Sequence, residues 1–181
     1  MPANDPGEPN RAVAVMIETT GMNPARGDRI VEIGAVEILN SRLTLRRFHT
    51  YLNPERESDA GSLTLHGLTE GFLKEKPRFL EIADRFAEFL RGAVLVVQPF
   101  DWTVQFLDRE WALANMPPTA KQIAGYEDVV ELARECAPNQ KVSLNALCAR
   151  YRIRLPAHQH GTRLDAWALA KAYLALTRIR F

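Results

Sequence analysis

The stretch Ala12-Val13-Ala14-Val15-Met16-Ile17-Glu18-Thr19-Thr20-Gly21 decides how the rest of the chain is read. Six apolar residues precede a lone acid and a Thr-Thr-Gly turn. Such a run predicts a buried strand over 12–18. An acid on a buried strand costs free energy unless a cation or a hydrogen-bond donor receives it. Side chains two apart share one face of a strand. Whatever Glu18 faces, Met16 therefore faces too.

Two further strands follow. Ile30 to Leu39 is rich in β-branched residues, with Glu32 and Glu37 interspersed. After the Asn40-Ser41 turn, Leu43 to Leu52 alternates as a returning strand. Residues 55–62 read as a polar loop leading to Leu65-His66-Gly67-Leu68. From Phe79 to Leu90 the apolar residues recur at three- and four-residue steps, an amphipathic helix stopped by Arg91-Gly92. Ala93 to Val97 is wholly apolar, as a central strand covered on both faces should be. Helices are then expected over Trp102–Ala114, from Asp128 to Cys136, over Leu144–Tyr151 behind an N-capping Ser143, and over Thr162–Thr177. A strand before Asp128 completes a five-stranded mixed sheet. Three strands in a meander followed by alternating strands and helices predict an α/β domain of RNase H-like architecture. Residues 11–181 form that single domain, and residues 1–10 a flexible tail.

Composition narrows the class. The 181 residues are 46% hydrophobic and 25% charged, with a net charge of +1. No run reaches the roughly 18 apolar residues of a membrane span. The polar N-terminus resembles no targeting peptide, so a cytoplasmic protein is expected. Cys136 and Cys148 are too far apart for a zinc or redox motif and read as buried free thiols. There is no overall basic field. The local cluster Arg42, Arg46, Arg47 reads equally as a solvated hairpin face.

Five motifs then fall in order: Glu18-Thr19-Thr20-Gly21, Ile30-Val31-Glu32-Ile33-Gly34-Ala35-Val36, Leu65-His66-Gly67-Leu68, Ser143 to Cys148, and His160-Gly161 with Asp165-Ala166. Together they resemble the DnaQ-like 3′–5′ exonucleases of the DEDDh type, in particular the polymerase III epsilon group. The resemblance runs from about Arg11 to Thr177. It implies phosphodiester hydrolysis with two divalent ions, Mg²⁺ or Mn²⁺, held by four carboxylates, and a histidine as general base. By the same resemblance Glu18 and Asp165 are metal ligands and His160 is the general base. Thr19, Thr20, His66 and Trp102 would touch the nucleic acid, single-stranded or 3′-terminal, DNA before RNA. Asp128 would anchor the helix that follows it. A protein partner is left open.

Two family carboxylates have no counterpart. Met16 stands where the first aspartate belongs, and a gapless alignment of Phe106 to Glu110 puts Thr103 on another. The expectation is an exonuclease fold with impaired catalysis and weak or lost metal binding. Its competitors are an active enzyme with a rearranged site of Asp101, Glu18 and Asp165, and a non-catalytic interaction scaffold. Plainer roles also stand: Asp165 as a first-turn helix acid, the His66 turn as a structural turn, Trp102 as core.

Overall fold

The computed structural model describes residues 10–155 and 161–179. Three strands open the chain: β1 (Arg11–Thr19), β2 (Ile30–Leu39) and β3 (Arg42–Tyr51). Two short helices follow, α1 (Ala60–His66) and α2 (Glu70–Leu73), then α3 (Phe79–Leu90). Next come β4 (Val94–Val97), α4 (Phe100–Leu113), β5 (Gly125–Asp128), α5 (Val129–Cys136), α6 (Leu144–Arg150) and α7 (Thr162–Ile179). The sheet order is β3-β2-β1-β4-β5. β1 pairs antiparallel with β2 and parallel with β4, so the sheet is mixed, as expected.

Period two assigns the two faces of β1. Val13, Val15 and Ile17 enter the core under α3 and α4, with Phe86, Leu107 and Trp111. Ala12 and Ala14 enter the opposite core with Leu169 and Ala172 of α7, and Met16 packs against it. The alanines are small because α7 lies against them. Gly34 on β2 extends the same logic: any Cβ there would overlap the backbone of Thr162, so α7 can begin flush on the sheet only over a glycine. The domain is thus a sheet between two helical layers.

The loop expected over 55–62 holds for 55–59 and gives way to α1 at Ala60. Asp59 N-caps α1 by accepting from Ser62 N, and α1 ends where Gly67 N donates to Leu63 O. No residue of α1 is buried, so the helix has no apolar stripe to announce it. Its caps, and the bond from Asp59 N to Thr20 O, hold it in place. The thiols are free, but only Cys148 is buried; Cys136 is half-buried. Among the described residues no helix is long and apolar enough to cross a membrane.

Candidate nucleic-acid and metal site

Glu18 lies near the C-terminal end of β1, where the register slips before Thr19. Directly across on β2 is Glu32, only 3% exposed. Its Oε1 lies 2.7 Å from His49 Nε2 on β3. Asp165 stands in the first turn of α7, whose start rests on Gly34. The three acids feel one another: burial first, then the charges of Glu32 and Asp165, push the Glu18 carboxyl up to about 7. A carboxyl so perturbed, at the end of a buried strand, is one whose charged form a cation or a donor would stabilise. Burial first, then Asp165, likewise raise the Cys148 thiol on α6.

The loop after β1 is braced from within. Thr19 Oγ1 donates to Gly21 O at 2.6 Å. Thr20 is fully buried; its hydroxyl donates to Asp28 Oδ1 and accepts from Arg29 N. This corrects the expectation that Thr20 touches nucleic acid: its hydroxyl belongs to the loop. His66 closes α1. Its Nδ1 accepts from Leu68 N at 2.9 Å, which leaves the proton of a neutral ring on Nε2. Nε2 is buried and has no hydrogen-bond partner among the described residues. Burial lowers the ring's pKa, against the charges of Glu32 and Asp59 and an interaction with the Thr19 backbone. His66 thus combines a structural turn with a ring N–H beside the Thr19 backbone.

The start of α4 is secured on every side. Phe100 N donates to Asp128 Oδ2, while Asp128 Oδ1 accepts from Val130 N and caps α5. Asp128 is therefore the anchor expected of it, for two helices rather than one. Gln98 Nε2 donates to Val142 O at 2.6 Å. Thr103 is 2% exposed and donates its hydroxyl to Pro99 O at 2.9 Å. Trp102 is half-buried, 4.9 Å from the Phe106 ring, with Nε1 unpartnered among the described residues. Asp101 is exposed.

A divalent ion such as Mg²⁺ asks for hard oxygen ligands in near-octahedral array. On this face Met16 offers a soft thioether two residues before Glu18. The Thr103 hydroxyl is already used by the backbone. Among the described residues no three His, Cys, Asp or Glu side chains stand where they could share one ion, so Glu18, Asp101 and Asp165 do not gather. Among the described residues, then, the side chains do not supply the ligands of a two-ion centre. His160 lies outside the described residues.

Sequence reasoning missed Glu32 opposite Glu18 and His49 beside Glu32, although strict register across the first two strands could have found Glu32. It also missed Arg29–Glu110. Arg29 Nε and Nη2 each lie 2.8 Å from the Glu110 carboxylate, which is 1% exposed and also accepts from Ile30 N. That pair ties the β1–β2 loop to α4, across 81 positions that no local pattern links.

The family model described as "Exonuclease" matches residues 15–173. The chain is 41% identical to the DNA polymerase III subunit epsilon of Escherichia coli K12 over 173 residues, covering 92% of this chain and 71% of that one. In three dimensions it resembles exonuclease X in complex with 5′ overhanging duplex DNA, with a TM-score of 0.72 and 18% identity. That match covers 92% of this chain and 91% of the other. It also resembles E. coli exonuclease I in complex with a dT13 oligonucleotide, with a TM-score of 0.82 and 15% identity. There 93% of this chain covers 41% of the other.

Proposed function

The chain belongs to the exonuclease family, and on that premise we propose that it holds the 3′ end of a nucleic-acid strand while hydrolysing it poorly or not at all. DNA is the proposed strand, since the related chain is a DNA polymerase III epsilon subunit. The observation that carries the reading is Met16. It shares the face of β1 with Glu18 and packs against the core under α7, where an acid would have to stand to complete a metal site. Thr103, turned to Pro99 O, supports the same reading at the second vacated position.

The chain's own groups suit binding. In this reading Thr19 and the His66 Nε2 donor meet the terminal nucleotide, and Trp102 flanks it. Glu18 and Asp165 hold at most one Mg²⁺ or Mn²⁺, weakly and with help from substrate phosphate. His160 is the relic of the general base. The free thiols fit a reducing, cytoplasmic setting.

Binding at an end is tested by comparing a linear dT20 with the same strand circularised, in EDTA, by competition against a fluorescent linear probe. The account expects the linear strand to compete at least ten-fold better, and His66→Ala to remove most of that preference. Equal competition by the circle refutes end recognition.

A further inference from the structure

β3 is an edge strand, and it carries charge out of proportion to the chain's net +1. Arg42, Arg46 and Arg47 lie exposed along it, with a bulge in its pairing to β2 between Val36 and Ile38. Two more basic groups of the same neighbourhood, Arg85 and Arg11, complete the patch. Arg85 of α3 lies over the Phe48 ring at 5.2 Å, and Arg46 over Phe89 at 5.6 Å. Arg11 reaches the carbonyls of Phe89 and Arg91 at the end of α3. Opposing them are Glu37, which is 3% exposed and bonded to Arg11, Arg46 and Thr44, and Glu88, which pairs with Arg91. Arg42 and Arg47 make no ion pair among the described residues.

The arrangement is more ordered than a solvated face requires. Arg46 is clamped between a buried carboxylate and an aromatic ring, yet its side chain stays 60% exposed. Arg85 sits over the Phe48 ring. Guanidinium groups held this way lose little rotamer freedom on meeting an anion, and they match phosphate oxygens in pairs. The location matters as well. Tyr51, at the far end of β3, is level with Glu32 and so with Glu18. Arg47 is level with Val36, four β2 positions from Glu32 and roughly 13 Å away, and Arg42 is level with Leu39, seven β2 positions and roughly 23 Å away. The arginines thus run away from the Glu18 site along one edge of the sheet, Arg47 on its α7 face and Arg46 and Arg85 on its α3 face.

We propose that this edge, from Arg47 to Arg42 with Arg46 and Arg85 beside it, is a phosphate-backbone contact for nucleic acid extending beyond the terminal nucleotides. The inference rests on the nucleic-acid reading given above. It assigns the edge no sequence preference, because guanidinium–phosphate contacts position a strand without reading bases.

The test uses the whole chain in EDTA with two probes, 5′-fluorescein dT20 followed by anisotropy and dT2 followed by NMR titration. Wild type is compared with the triple variant R42Q/R47Q/R85Q and with R42K/R47K/R85K. Three lost phosphate contacts on a single strand lower the salt slope by about 2. From 50 to 200 mM salt, wild type should therefore lose about twenty-fold more dT20 affinity than the glutamine triple. The lysine triple should keep the wild-type slope, and dT2 should bind all three proteins alike. A glutamine triple with the wild-type slope overturns the proposal, as does an equal loss for dT2 and dT20. If wild type binds neither probe, the nucleic-acid reading itself has failed, which is a separate result.

Discussion

Replacing Glu18 by glutamine should change how stability depends on pH, and the sign is set by the carboxyl's own environment. In the folded chain burial, Glu32 and Asp165 raise it from 4.5 to about 7. Between those values the folded protein keeps a proton that the unfolded chain releases. Rising pH therefore favours unfolding across that window, and the effect is complete above about pH 7. A difference of that size corresponds to roughly 3 kcal/mol. Glu18 is only half-buried, so solvent screening brings the expectation to on the order of 2 kcal/mol. Glutamine is neutral throughout and lacks the loss. Urea denaturation followed by tryptophan fluorescence at pH 4.5, 5.5, 6.5 and 7.5 measures both proteins. Other carboxylates, such as Glu37, which Arg11 and Thr44 hold low against the opposing effect of burial, titrate in both chains and cancel in the difference. Glu18→Gln should gain about 2 kcal/mol on wild type between pH 4.5 and 7.5. Parallel curves would refute the claim that burial and the charges of Glu32 and Asp165 disfavour the Glu18 carboxylate.

Other perturbations address single contacts. Thr103→Asp puts a carboxylate at a site 2% exposed and removes the bond to Pro99 O, so it should cost about 2–4 kcal/mol in urea denaturation. An unchanged midpoint would mean that the α4 start opens easily. Glu110→Ala strands the Arg29 guanidinium and the Ile30 N–H, with an expected loss of about 3–5 kcal/mol by the same assay. Gly34→Ala would force the start of α7 off the sheet and should lower stability by about 1–3 kcal/mol, read as a fall in melting temperature.

Much of the fold was legible because its buried strands and long helices have different periods. Phe79, Ile82, Ala83, Phe86, Phe89 and Leu90 all face the core at helical spacing, so α3 falls where its pattern places it. α1 could not be read that way: it buries nothing and owes its place to caps and one backbone bond. In the site, the shared face of Met16 and Glu18 followed from strand geometry alone. Thr20 was misread because its neighbours Thr19 and Gly21 fit a ligand loop, whereas its hydroxyl is taken by Asp28, eight residues on. Glu32 lay in view but looked like one acid among apolar residues until pairing set it opposite Glu18. Arg29–Glu110 depends on tertiary folding and left no local trace.

The central claim is that a strand end is held without efficient cleavage. Its most direct measurement is the hydrolysis of 5′-labelled dT20 by wild type, Glu18→Ala and Asp165→Ala in Mg²⁺ and in Mn²⁺, beside binding of the same strand in EDTA. The account predicts binding by wild type and at most a trace of shortening in either metal, no greater than in the two variants. Processive 3′ shortening by wild type that both alanine variants abolish would contradict it, since Glu18 and Asp165 would then be serving a working metal site despite Met16 and Thr103.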